Sequence, residues 1–249
     1  MSLLSRQDEI VKILEKKGYS TVKYLTEVLH YSTATINRDL NTLEKKQLVK
    51  RSYGGVELVK STYVPVFLRK YKMHVVKNAI GKKASSFVND GDMIFIDGST
   101  TAQCMEQYIA NRKNLTVLTN NIVLAANLSA NGVKVICLGG TVVESPSMLY
   151  GDETVENSKK YMVDKMFFST CAVTKTGLIA SSIYALVFNN LIKNAKQVFY
   201  LVDGEKIDQP FNEILCSFDK ISKVISDYDF PDETKQQFSN TEFITITKP

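Results

Sequence analysis

Along the first sixty positions, apolar residues recur at helical spacing. Ile10, Ile13 and Leu14 share one face, Ser5-Arg6-Gln7-Asp8 before them reads as a capping box, and Lys16-Lys17-Gly18 supplies a cationic last turn and a terminating glycine. Val22, Leu25, Val28 and Leu29 form a second, shorter set. A third helix follows a tight turn, capped by Ser32 or Thr33, with Ile36, Leu40 and Leu43 at i, i+4 and i+7. The period then shortens. Leu48 to Val59 reads as two strands around Gly54-Gly55, with Lys50 and Arg51 on the first. Helix, helix-turn-helix and hairpin make a winged-helix layout. Residues 60–75 show no period and hold Pro65, which predicts a linker between a domain at 1–59 and another at 76–249.

Beyond the linker, short apolar runs alternate with helical patterns. The runs are Met93–Ile96, Leu115–Leu118, Val133–Leu138, Met166–Cys171, Val198–Val202, Val224–Ser226 and Phe243–Thr247. Ala79 to Val88 and Leu186 to Ile192 are helical between them. Nearly continuous apolar strands separated by helices predict an α/β domain, a mainly parallel sheet covered on both faces. Ligands of such sheets sit beyond the carboxyl ends of the strands.

Charge sharpens the division. Residues 1–60 hold 11 Lys+Arg against 7 Asp+Glu, and residues 61–249 hold 20 against 19, so most of the net +5 lies in the first quarter. A basic segment on a near-neutral body suits a nucleic-acid reader. With 44% apolar residues, 12 Gly and 5 Pro, disordered and collagen-like classes are excluded. No apolar run is long enough to span a membrane, and the N-terminus turns charged too early for a signal peptide, so no membrane association and a cytoplasmic location are expected. The four cysteines (Cys104, Cys137, Cys171, Cys216) are too scattered for zinc and are expected to be buried, reduced thiols. Neither a metal nor a cofactor is called for.

The third helix offers Thr33, Thr35, Asn37 and Arg38 to base edges in a major groove, Arg suiting guanine and Asn adenine. Lys50 and Arg51 suit phosphates, which position without specifying. Asp39 would repel DNA, so it is expected to pair locally with an arginine or to cap. A helix-turn-helix used for protein contacts is the competing reading. One such module neutralises few phosphates, so a homodimer or homotetramer reading repeated half-sites of a double-stranded operator is expected.

These residues carry a resemblance. Thr35-Ile36-Asn37-Arg38-Asp39-Leu40, followed by Arg51-Ser52-Tyr53-Gly54-Gly55, resembles the N-terminal signature of the DeoR family of bacterial transcription regulators, T-I-R-R-D-L with an R-x-H-G-G wing. Asn37 replaces the first Arg of that pattern and Tyr53 the His. The DNA-contacting set is then Ser32, Thr33, Thr35, Asn37, Arg38, Lys50, Arg51, Tyr53 and Gly54.

Polar residues also gather at the strand ends of the second part. Asp97-Gly98-Ser99-Thr100-Thr101 before a helix makes an anion cradle from hydroxyls, a close backbone and free N–H groups. Thr119-Asn120, Gly139-Gly140 and Asp203-Gly204-Glu205-Lys206 end other strands; Lys206 suits a phosphate and Asp203 a hydroxyl. This part too resembles the DeoR family, whose C-terminal sensor resembles ribose-5-phosphate isomerase and the coenzyme A transferases. The family's D-x-G-[TS]-T-T loop appears one residue tighter at Asp97 to Thr101, its T-N at Thr119-Asn120, its G-G at Gly139-Gly140, its later lone glycine at Gly151, and its D-x-x-K at Asp203 to Lys206.

The resemblance implies a repressor of a sugar or carbohydrate operon whose DNA affinity responds to a phosphorylated sugar or related metabolite. One segment departs: the family's E-A-x-V-K-R reads here Tyr184-Ala185-Leu186-Val187-Phe188-Asn189. Either Tyr184 and Phe188 make the pocket wall more apolar, or they point into the helix–sheet core. No Ser-His-Asp set, metal set or acid pair is present, so no catalytic residue is assigned. Asp97, Glu205 and Lys206 keep open an isomerase- or transferase-like enzyme domain tethered to DNA. A ligand-independent regulator with a filled pocket is the third reading.

Overall fold

The computed structural model describes residues 6–45, 49–52, 54–58, 73–144 and 148–247. The chain divides into two compact units, residues 1–72 and 73–249. Of the segment expected to be a linker, residues 60–72 lie outside the described residues, and His74 and Val75 already belong to a helix.

In the first unit, helix α1 (Arg6–Lys17) closes on Gly18, whose φ of +73° is the left-handed state a helix stop uses and whose N–H reaches the Leu14 carbonyl at 2.7 Å. Ser5, part of the expected capping box, lies outside the described residues. Strand β1 (Tyr19–Thr21) leads into α2 (Val22–Leu29), capped by Thr21, which accepts from the Tyr24 amide. His30, left-handed at φ 57°, turns the chain into α3 (Thr33–Lys45). Strands β2 (Val49–Ser52) and β3 (Gly55–Leu58) form the expected wing, and β1, which the sequence pattern did not reveal, joins them in the order β1-β3-β2. Ile10, Leu14, Leu25, Ile36, Leu40, Leu43 and Val56 make one buried core. Each such side chain contributes roughly 1.5–3 kcal/mol on burial.

The second unit begins with α4 (His74–Ser85) and strand β4 (Met93–Ile96), then the short helix α5 (Glu106–Ile109), β5 (Thr116–Thr119), α6 (Ile122–Ala130) and β6 (Lys134–Cys137). A hairpin of β7 (Thr141–Glu144) and β8 (Met148–Tyr150) precedes α7 (Asp152–Ser158) and β9 (Val163–Phe168). Then come β10 (Leu178–Ala180), α8 (Ala185–Asn194), β11 (Ala195–Val202), β12 (Ile214–Ser217), β13 (Lys223–Ser226), α9 (Asp232–Gln237) and β14 (Glu242–Thr245). All seven expected strands lie in one sheet of order β14-β13-β11-β9-β4-β5-β6, parallel throughout. The order reverses between β4 and β9, and in such sheets the crevice that takes a ligand lies at the carboxyl ends beside this switch.

Alternation along the strands builds two cores. Ile94, Ile96, Phe167, Phe199 and Leu201 face the side covered by α4 and α6, while Phe95, Met166, Phe168 and Tyr200 face the side covered by α8. Phe188 (1% exposed) and Tyr184 (6%) belong to the second core: Phe188 packs on Phe168 with ring centroids 5.3 Å apart, and Tyr184 meets Tyr150 edge-on at 5.5 Å. Of the two readings of this helix, Phe188 follows the packing one.

The expectation of buried cysteines is overturned. Cys137 and Cys171 are exposed, and Cys104 and Cys216 are half-buried, all four free. Cys137 ends the edge strand β6, and Cys171 lies beyond β9, which stops at Phe168. Among the described residues no helix is long and apolar enough to cross a membrane.

Candidate nucleic-acid interface and effector crevice

In the first unit, Ser32 sets the start of α3: its hydroxyl accepts from the Thr35 amide and shares a hydrogen bond with the Thr35 hydroxyl at 2.8 Å. Thr33, Ala34 and Arg38 are exposed, while Ile36, Leu40 and Leu43 anchor the opposite face. Asp39 is buried and paired, as expected, with an arginine, but the partner is distant rather than local. It is Arg6 of α1, whose Nε and Nη2 both reach the carboxylate, with Gln7 adding a third donor. That pairing raises the Arg6 guanidinium further above its ordinary value. An inward-facing carboxylate thus leaves the exposed face of α3 free of its charge.

The wing is tied to this helix. Arg51 Nη2 donates to Asn37 Oδ1 at 2.5 Å, and the Arg51 amide donates to Glu44. Lys50 is exposed. Gly54 turns the hairpin at φ +83°, and a Cβ on Gly55 would stand 2.3 Å from the Tyr19 hydroxyl, so β1 closes on the wing only over a glycine. Tyr53 lies outside the described residues. The described residues expected to contact DNA therefore lie on a polar helix face and a cationic strand, joined through Asn37 and Arg51.

The second unit brings the strand-end residues together unevenly. Asp97 ends β4 buried, with its N–H on the Phe167 carbonyl of β9 and its Oδ1 accepting from Ser99 Oγ at 2.6 Å. Burial pushes the Asp97 carboxyl up to about 7, against the lowering pull of the Ser99 hydroxyl and the Lys206 charge. Lys206 Nζ donates to Ser169 Oγ at 2.8 Å and Thr101 Oγ1 at 3.4 Å, and stands 3.7 Å from Asp203 Oδ2. Asp203 is 2% exposed, and its Oδ2 accepts no hydrogen bond among the described residues. On the other side of the loop, the buried Lys77 of α4 donates to Thr100 Oγ1 at 3.3 Å. Hydroxyls from two loops thus converge on the Lys206 ammonium beside a buried carboxylate oxygen, and a second ammonium, that of Lys77, holds the Thr100 hydroxyl.

Other expected members have structural tasks. Gly98 and Asn120 meet each other: the Gly98 amide donates to Asn120 Oδ1, while Asn120 Nδ2 and carbonyl reach Leu149 of β8, so Asn120 braces the loop. Thr119 Oγ1 bonds back to the Ile96 carbonyl. Gly139 and Gly140 pack against α7: the Thr154 hydroxyl donates to the Gly139 carbonyl, and a Cβ on Gly140 would stand 2.1 Å from that hydroxyl. Gly151, at φ +135°, starts α7. The free helix N–H groups expected after Thr101 are also taken. That helix is a four-residue 3-10 turn, Ala102–Met105, with the Ala102, Gln103 and Cys104 amides bonded to Ser99 and Thr101. Lys77 and Ser169 went unnoticed in sequence. Lys77 sits in an ordinary amphipathic pattern, and Ser169 falls inside the apolar run Met166–Cys171, which reads as strand interior.

A winged reader followed by an α/β unit with a polar crevice defines a sensor-coupled transcription regulator. A model of the DeoR-like helix-turn-helix domain matches residues 6–62, and one of the DeoR C terminal sensor domain matches residues 72–228. The chain belongs to the DeoR family. It is 30% identical over 223 residues to the HTH-type transcriptional repressor GlcR of Bacillus subtilis (strain 168), covering 88% of this chain and 86% of the relative. It is 28% identical over 250 residues to the lactose phosphotransferase system repressor of Staphylococcus aureus (strain NCTC 8325 / PS 47), covering 97% and 98%. Among solved structures, ribose 5-phosphate isomerase A from Methanocaldococcus jannaschii aligns with a TM-score of 0.41 at 17% identity, covering 54% of this chain and 55% of that one. The chain spans little more than half the length of that isomerase.

Proposed function

We propose that the chain represses a sugar or carbohydrate operon, binding a double-stranded operator as a homodimer or homotetramer in the cytoplasm, with a phosphorylated sugar as effector. The DNA-contacting set proposed is Ser32, Thr33, Thr35, Asn37, Arg38, Lys50, Arg51, Tyr53 and Gly54. Repression and sugar chemistry are supported by the relatives' descriptions as repressors, one of them of a lactose phosphotransferase system. The observation that carries the effector reading is Lys206 held between the Thr101 and Ser169 hydroxyls, 3.7 Å from a buried Asp203 oxygen that accepts no hydrogen bond among the described residues. Lysine and hydroxyls suit a phosphate, and a buried acceptor is satisfied by a sugar hydroxyl.

Asp97, Ser99, Thr100, Thr101, Asp203 and Lys206 hold the effector in this reading, while Gly98, Thr119, Asn120, Gly139, Gly140 and Gly151 shape the loops around it. A thermal-shift titration with sugar phosphates tests it, since a ligand at 100 times its Kd stabilises the folded state by about 2.7 kcal/mol. Lys206→Ala abolishes the shift; a hit that keeps its affinity in Lys206→Ala places the phosphate elsewhere. The crevice serves recognition rather than turnover. The Asp97 carboxyl near 7 favours a second reading, proton transfer on a bound sugar phosphate, which an isomerase assay that consumes substrate would establish.

A further inference from the structure

We propose that Lys77 is the positioning residue that converts an anion in the crevice into a change in the first turn of α4, the element by which the chain enters the sensor unit. The proposal rests on the crevice being the effector site. Lys77 lies in that first turn, is 4% exposed, and reaches across to Thr100 Oγ1 of the loop at 3.3 Å. A phosphate among Ser99, Thr100 and Thr101 would stand within reach of its ammonium. A dianion attracts an ammonium far more strongly than a neutral hydroxyl does, so the Nζ shifts toward the ligand.

Below Lys77 the helix is locked to the segment that follows the loop. A Cβ on Gly81 would stand 2.8 Å from the Cys104 backbone, so α4 rides directly on the 3-10 turn. Gln107 donates to Asn78 at 2.5 Å, and the Ser85 hydroxyl reaches the Met105 carbonyl at 3.4 Å. Above Lys77 the helix is weakly founded. Its first hydrogen bond runs from the Lys77 amide to the carbonyl of Met73, a non-glycine residue at φ +55° whose side chain makes no capping hydrogen bond among the described residues. The body of α4 cannot yield, and the first turn can. A pull on Lys77 is therefore absorbed at Met73, where it tightens a marginal turn.

The test uses the full chain, with glucose 6-phosphate as probe, and measures amide exchange of the peptide 73–85. In the wild type and in Lys77→Arg, saturating probe slows first-turn exchange by about threefold or more. In Lys77→Met, which still holds the phosphate through Lys206, the probe binds more weakly, and at saturation the slowing is absent. Slowing that persists in Lys77→Met overturns the proposal while leaving the effector site intact. A wild-type protein that binds the probe with an affinity unchanged by Lys206→Ala, or does not bind it, overturns both.

Discussion

Arg51 Nη2 donates to Asn37 Oδ1, fourteen residues away in the chain, so the wing and the reading helix form one polar unit. In the proposed DNA contact, Asn37 would present its amide in an orientation that Arg51 sets, and Arg51 spends one donor inside the protein rather than on a phosphate.

Two classes of DNA-binding defect follow. Arg51→Ala weakens all duplexes, lowers the salt slope by about one, and alters base preference at the position Asn37 reads. Arg38→Ala weakens the operator by roughly 5–100-fold and relaxes sequence choice. Anisotropy titrations on operator and scrambled duplexes at several salt concentrations separate the two. Equal losses on both duplexes for Arg38→Ala would remove it from base reading.

The buried Asp39 makes the reader depend on Arg6. Arg6→Ala strands a carboxylate whose side chain is 7% exposed and lowers the melting temperature of the first unit. Arg6→Met with Asp39→Leu recovers part of that loss, because an apolar pair carries no desolvation penalty. A double replacement less stable than Arg6→Ala would show that the ion pair itself, rather than its rupture, decides stability.

Phe188 is core, so Phe188→Ala costs about 3–5 kcal/mol in the sensor's urea transition. Leu186→Glu, two residues away at 57% exposure, stays within about 0.5 kcal/mol. Equal effects from the two would contradict the orientation of α8.

Asp97 ties stability to pH. Its carboxyl ionises near 3.8 when unfolded and near 7 when folded, so between these values the folded state keeps a proton that the unfolded state has lost. Stability from this group therefore falls as pH rises from about 4 to 7 and is level above. Asp97→Asn removes the dependence: its melting temperature exceeds the wild type's by most above pH 7, and the advantage shrinks toward pH 4. A difference constant from pH 4.5 to 8 would mean that the buried carboxyl titrates normally.

The sheet was legible because strands buried on both faces are apolar throughout; every run from Met93–Ile96 to Phe243–Thr247 lies in it. Short antiparallel pairs left no such trace: β1, β7–β8 and β10–β12 have three or four residues per strand. In the crevice, Asp97, Thr101, Asp203 and Lys206 were readable because polar residues at strand ends have few other reasons to be there. Lys77 was not, since one lysine in an amphipathic helix looks like solvent-facing charge until the fold buries it. One glycine pair has a packing role that the sequence did not show. Gly139-Gly140 resembles a ligand loop, and its lack of side chains also admits Thr154.

The reversal of strand order between β4 and β9 also governs when the crevice comes into being. Asp97 and Ser169 flank it from strands whose pairing waits for about seventy intervening residues, and Lys206 arrives later still, after β11. A growing chain that has emerged only as far as β6 carries every residue proposed to contact DNA but not the complete set proposed to hold the effector. A metabolite bound as proposed would therefore act only on finished molecules, and its presence during synthesis would favour late-stage closure of the sheet rather than its beginning.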